Sequence, residues 1–214
     1  MRGVLVLIVS VVIASCSSNT QSLTRYHEDG RSKPSIAIAS MIDTTSYDCP
    51  WSLSEELSSM IVQKISQSGK IYVQSTPDFP FAENPFGSDL SWIKREFRNE
   101  EFVVFLELVE HVDEPVIKNN KTPVSLAPQE VSTNLKMAVR LRIVDLRAAS
   151  PKIILQEIVR GSYFIPKTLI QTDYNQVVWG SEEYRKTPMG IAHTQLVQEI
   201  TTRLSDYLLL AKSQ

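Results

Sequence analysis

His27, His111 and His193 are the only histidines among 214 residues. Acid–base or metal chemistry based on imidazole must therefore be sought at these three places. His111 follows Glu107 by four residues and precedes Asp113 by two. On a regular strand all three would share one face, and such a set could hold a divalent cation. The same spacing also describes a solvated strand end. His193 stands three and four residues before Leu196 and Val197, on the apolar stripe of a helix. It reads either as a hydrogen-bonded, half-buried histidine or as a general base. His27 lies in a polar segment with no chemical neighbours. Nucleophilic catalysis finds no frame here. No Gly-x-Ser-x-Gly elbow and no His-Glu-x-x-His pair occurs, and Ser68-Gly69-Lys70 lacks the upstream glycine of a phosphate loop. Cys49 sits in Asp48-Cys49-Pro50-Trp51. A helix starting just beyond it could depress its thiol pKa, but no base lies nearby in sequence. No catalytic residue, no metal and no cofactor is assigned, and the chain reads as a non-enzyme.

The chemistry best supported by spacing is at the start. Arg2 precedes an apolar run, residues 4–14, that ends in Ile13-Ala14-Ser15-Cys16. The run is shorter than the ~20 residues needed to span a bilayer. A basic residue, a short apolar core and small residues have the shape of a cleaved export signal. An aliphatic residue, two small residues and a cysteine resemble a bacterial lipobox. Cleavage would leave Cys16 first, its thiol joined to diacylglycerol and its amine acylated, for instance by palmitate. Such multiple chains anchor stably. Ser17, rather than an aspartate, points to the outer membrane, with the domain on its periplasmic face.

Composition narrows the rest. There are 22 basic and 24 acidic residues, a net charge of −2, and 43% hydrophobic residues. No dense basic run occurs, which argues against a nucleic-acid partner. With Cys16 lipidated, Cys49 is left alone and no intramolecular disulfide is possible. The division reads as a signal peptide over 1–15, a flexible tether over 16–34 rich in Ser, Thr, Asn and Gln, and a single domain over 35–214.

Within that domain the patterns predict a buried strand over 35–43 and a loop over 44–51. Ser52 with Glu55 then makes a capping box. Leu53, Leu57, Met60, Ile61 and Ile65 fall at helical spacing, and Gly69 supplies a positive-φ stop. A short strand over 71–73 completes a parallel crossover unit. A short helix over 89–99 and a strand over 102–112 come next. Leu135, Met137, Val139, Leu141 and Ile143 alternate with Lys136, Ala138, Arg140, Arg142 and Val144, so 135–144 is a strand with one face on a core. Residues 153–164 return antiparallel. Residues 165–186 read as irregular. Thr187 caps and Pro188 opens a last helix with Leu196, Val197, Ile200, Leu204, Tyr207 and Leu208 on its stripe. The fold class is α/β (α+β): a two-layer sandwich, a mixed sheet of about five strands with helices on one face.

The phrase Val139-Arg140-Leu141-Arg142-Ile143-Val144-Asp145 adds to this order. So do the opening strand, the helix ending at Ile65–Gly69, and the small-residue start of the last helix at Gly190–Ala192. Together, over roughly 35–212, they resemble a domain shared by three envelope proteins. These are the curli secretion-channel lipoprotein, the lipoprotein activators of penicillin-binding proteins, and the N-terminal domain of the Tol-system propeller protein. The glycine usual after the aspartate is replaced here by Leu146-Arg147-Ala148-Ala149. The resemblance implies a non-catalytic module that binds another envelope protein or copies of itself. The channel-forming member inserts long β-hairpins. This chain shows only one clean dyad strand, 135–144, which disfavours a channel.

Two stretches are candidate partner surfaces. Residues 77–86 hold Phe79, Phe81 and Phe86 interspersed with Pro77, Pro80 and Pro85, a loop that either folds over the core or presents an apolar patch pre-ordered for binding. Lys136, Arg140 and Arg142 make a basic strand face. Cross-strand pairs with Glu107 and Glu157 would satisfy it; an acidic partner is the alternative.

Overall fold

The computed structural model describes residues 24–74, 83–116, 132–166 and 172–214. The elements run β1 (Ser35–Ile38), β2 (Ile42–Asp43), α1 (Leu53–Gln67), β3 (Tyr72–Gln74), α2 (Ile93–Glu96), β4 (Phe102–Pro115), β5 (Thr133–Asp145), β6 (Lys152–Ile165), α3 (Glu182–Arg185) and α4 (Pro188–Lys212). The sheet order is β3-β1-β4-β5-β6, with β2 also paired to β4. β1 is parallel to β3 and β4, whereas β4, β5 and β6 are antiparallel. The crossover β1–α1–β3 therefore forms as the spacing predicts. The strand anticipated over 35–43 is interrupted. Its halves β1 and β2 both pair with β4, and between them the Met41 N–H donates to Ser58 Oγ of α1 at 3.1 Å.

The long helices grow out of local chemistry. Ser52 Oγ accepts the Glu55 N–H at 3.2 Å, and Leu53, Leu57, Ile61 and Ile65 are buried. Gly69, at φ 66°, turns the chain out of α1, a backbone state that costs glycine nothing. In α4, Thr187 Oγ1 accepts the Gly190 N–H at 3.1 Å behind Pro188. The stripe Leu196, Val197, Ile200, Leu204 and Leu208 is buried, whereas Tyr207, anticipated on it, is exposed at the stripe's margin. These two helices share one sheet face, packing on Phe102, Val104, Leu106, Leu135, Val139 and Leu141. The opposite face carries a smaller core. There Ala37, Val103, Phe105 and Val144 lie under Trp92, Ile93 and Phe97, so short α2 sits across the sheet from the long helices. No helix of the described residues is long and apolar enough to cross a membrane.

The stretch anticipated as tether is structured from Thr24 onward. Tyr26 and Ser32 form a bridge around Gly30, at φ 82°. The Lys33 N–H donates to Arg25 O at 2.9 Å, and the Arg25 guanidinium lies 5.3 Å from the Tyr72 ring centre.

Two further features set how the helices meet the sheet. The register of β4 on β5 shifts between Leu108 and Glu110, a β-bulge that reverses which face each later residue of β4 presents. Secondly, a Cβ at Gly190 would stand 2.2 Å from the carbonyl oxygen of Tyr184. Only a bare Cα lets the first turn of α4 press on α3. Gly190→Ala should therefore cost about 1–3 kcal/mol, the usual range for overpacking, read as a lower urea midpoint at unchanged m-value. Gly161→Ala should cost less, because the atoms crowding that position belong to the Tyr163 side chain, which can swing away.

A buried Glu–His–His cluster as the candidate site

Glu56 is fully enclosed on α1. It sits one turn into the helix, where the backbone dipole favours a negative charge. A buried carboxylate is tolerable only when its lone pairs are used, and three side chains use them. Trp51 Nε1–H donates to Oε2 at 2.7 Å. Tyr184 Oη donates to Oε1. His193 Nδ1 lies 2.8 Å from the same oxygen and 2.9 Å from Tyr184 Oη. His193 Nε2 in turn faces His111 Nε2 at 2.9 Å. His193 is fully enclosed, and His111 and Tyr184 are buried at 4% and 2% exposure. The cluster thus ties α1, β4, α3 and α4 together through side chains alone.

The electrostatics assign the protons. Burial pushes the Glu56 carboxyl upward, but hydrogen bonds from His193, Tyr184 and Trp51 outweigh it and hold the group below its ordinary range. Glu56 is ionised, so His193 presents Nδ1–H to it, and one hydrogen fills the gap between the two facing Nε2 atoms. Burial, then the neighbouring His193, drives the His111 pKa down to about 3, so His111 is neutral. Burial, then Glu56, raises the Tyr184 pKa, which keeps its hydroxyl proton in place. His111 Nδ1 is left buried with no hydrogen-bond partner. The His111 ring packs edge-on against Tyr47, centroids 4.1 Å apart, and Tyr47 Oη donates to Asp113 Oδ2 at 2.9 Å.

Chemically, this is a carboxylate–imidazole–imidazole relay without a substrate-facing end. It can share or store a proton. Its members are turned toward one another, and among the described residues no serine, threonine or cysteine is hydrogen-bonded into it.

The bulge breaks the donor set anticipated at Glu107, His111 and Asp113. Glu107 stays on the α2 side, paired with Arg140 at 3.1 Å, while His111 and Asp113 pair opposite Met137 and Leu135. No group of three or more metal-ligating side chains is found among the described residues. The thiol of Cys49 is pushed up by burial and by Glu56 and Asp48, against one lowering hydrogen bond with Trp51. The nearby helix start favours the opposite shift, and burial overrides it. His27 lies in the 26–32 turn, far from the cluster in the chain, and enters no interaction with it. Sequence reasoning passed over Glu56, Tyr184 and Trp51. The signal available was Glu56 at helical spacing between Leu53 and Met60, one carboxylate on a buried stripe.

Among the candidate partner residues, Cys16, Phe79 and Phe81 lie outside the described residues. Lys136 pairs with Glu114 at 2.6 Å. Arg142 is not on a solvated face: it is 4% exposed. Its Nη1 donates to Pro85 O at 2.9 Å and to Gly87 O at 2.7 Å, and Nη2 donates to Phe86 O at 2.8 Å. Its Nε donates to Gln156 Oε1 at 2.6 Å. The guanidinium groups of Arg140 and Arg142 lie 5.1 and 5.4 Å from the Phe86 ring centre. Phe86 is thus partly covered and packed on the smaller core. Glu157 pairs with Arg203 of α4 at 3.2 Å rather than with the strand arginines.

Glu56→Ala should cost about 3–5 kcal/mol, because it strands several buried donors at once. Glu56→Gln should cost less while still removing the charge. Equilibrium unfolding of both variants checks the order. Arg142→Lys should leave most of the grip on residues 85–87 unmade, since an ammonium cannot reproduce the planar fork. Faster proteolysis within 83–92, with little change at α4, is the expected readout.

With this geometry in place, comparison with known proteins locates the chain. The hypothetical protein CT253 from Chlamydia trachomatis is similar at a TM-score of 0.67 and 24% identity, over 83% of this chain and 98% of that one. That likeness establishes a shared fold. Weaker similarities include protein XCC0632 from Xanthomonas campestris, at a TM-score of 0.48 and 9% identity over 85% and 87% of the chains. Another is PelC from Paraburkholderia phytofirmans, at 0.44 and 13% over 86% and 91%. No curated protein matches the chain. A family model described as a family of unknown function, DUF7499, matches residues 22–212, every described element included, and the chain belongs to that family.

Proposed function

We propose that the protein is a lipid-anchored bacterial envelope lipoprotein whose domain works by docking on another envelope protein, without catalysis. The observation that carries this reading is the run from Arg2 to Cys16, a short apolar core closed by Ile13-Ala14-Ser15-Cys16. The enclosed Glu56–His193–His111 cluster supports the non-catalytic half, because its polar atoms bind one another rather than an open cleft. The resemblance carried by the phrase 139–145 belongs to the same reading. The address is the periplasmic face of the outer membrane, by the rule that reads Ser17. The docking surface is the loop over 77–86. Its Phe86 end is riveted to the sheet by Arg142, and in this reading Phe79, Phe81, Lys136 and Arg140 supply the contacts.

Self-assembly is a second reading. Residues 152–165 form a 14-residue strand at the edge of the sheet order, and no strand of the described residues pairs with its outer side. Unpaired edges of that length are templates for another strand.

Two measurements test the proposal. Cys16→Ser should abolish lipid labelling and release the protein from the membrane fraction. A photoreactive residue at 79 or 81 should yield one discrete heterologous band in intact cells, lost in Phe79→Ser/Phe81→Ser at unchanged melting temperature. A ladder of self-multiples would instead support assembly. Unaltered membrane retention of Cys16→Ser would overturn the anchor.

A further inference from the structure

We propose that the His111–His193 contact is an acid-sensitive latch: one proton shared between the two facing Nε2 atoms holds β4 to α4, and a second proton releases it. The latch is independent of the anchor and of the docking loop.

Two ring nitrogens 2.9 Å apart leave room for one hydrogen between them. His193 commits its Nδ1–H to Glu56. With one hydrogen in the Nε2–Nε2 contact, the only ring nitrogen left to carry a further proton is His111 Nδ1. That atom is buried and has no hydrogen-bond partner. Burying an unpaired donor is costly, and more so when it is charged.

The surroundings give too little relief: the charge of Glu56 and the backbone of His111 itself favour a proton there, and burial with His193 outweighs both. From α1 the cluster is faced by Glu56, already engaged by His193, Tyr184 and Trp51. From α4 comes His193 and from α3 Tyr184. The segment between β2 and α1 contributes Tyr47, Cys49 and Trp51. Tyr174, ahead of α3, packs against Trp51. On β4 itself Asp113 is engaged by Tyr47. From β5, the residue opposite His111 is the apolar Met137. Among the described residues Glu56 is the only carboxylate bonded into the cluster, and it cannot serve both imidazoles.

With its folded pKa held near 3, His111 stays neutral in the closed structure, while an opened chain protonates it below about 6.5. The latch is fully held above about pH 6.5. Opening then becomes easier by up to tenfold per pH unit as pH falls toward 3. Glu56, whose pKa is lowered, acts in the same sense but only below about 4.5. The window from about pH 6.5 to 4.5 therefore reports the histidine.

Amide hydrogen exchange on the full chain tests this, with peptides from α1 and from the first half of α4, corrected for intrinsic rates. Between about pH 6 and 5 their opening should rise about tenfold. In His111→Phe this rise should vanish, whatever that variant's absolute stability, and His27→Gln should retain it. If His111→Phe does not fold, the unaltered chain decides the matter. The His111 imidazole resonance should not titrate between about pH 8 and 4.5 in the folded protein. A midpoint near about 6.5 overturns the latch, and so does an equal rise in His111→Phe.

Discussion

One carboxylate sets the terms for the helical layer. Glu56 is wholly removed from water, and an ionised group there survives only when its oxygens are fully engaged. The engagement draws on a tryptophan just before α1, a tyrosine on α3 and a histidine on α4, and through that histidine on β4. Apolar packing alone would let α1 and α4 slide on the sheet with modest loss. The directed contacts to Glu56 allow one relative placement. Gly190 belongs to the same constraint, because its missing Cβ lets α4 approach α3 closely enough for Tyr184 and His193 to meet on one oxygen.

The opposite face is governed by a different polar anchor. Arg142 satisfies its fork with three consecutive backbone carbonyls, 85 to 87, and a glutamine. The bonds serve both sides: a buried guanidinium gains partners, and carbonyls of an irregular loop gain donors. The second core of Trp92, Phe97 and Phe105 lies beside it. The sheet is thus covered on both faces, by helices on one and by a loop with a single turn of helix on the other.

Much of this is legible in the residues, and the failures have specific causes. The alternation in 135–144 and the stripes behind Ser52 and Thr187 report backbone period directly, so α1, β5 and α4 lie where anticipated. The crossover comes from their lengths. Alternation misplaces Arg142 because it assigns a residue to a face, and a face is solvated only if nothing lands on it. The loop that lands on it comes from 55 or more residues away in the chain. Strict period two puts His111 on the face of Glu107. The bulge at 108–110 inserts one residue that no composition signal marks. His193 is legible as a stripe histidine, yet two of its partners, His111 and Glu56, sit 82 and 137 residues away in sequence. Spacing rules cannot see such separations.

The path of the chain into the domain has a mechanical consequence. The turn over 24–34 feeds directly into β1, which lies inside the sheet between β3 and β4 and parallel to both. A pull on the N-terminal segment therefore loads the hydrogen bonds on both sides of β1 together, in shear along the strand. An edge strand pulled from its end would peel one bond at a time. Whatever holds the first residues can transmit force to the middle of the sheet, and the small turn closed by Tyr26 and Ser32 is the weaker element in series, positioned to yield first.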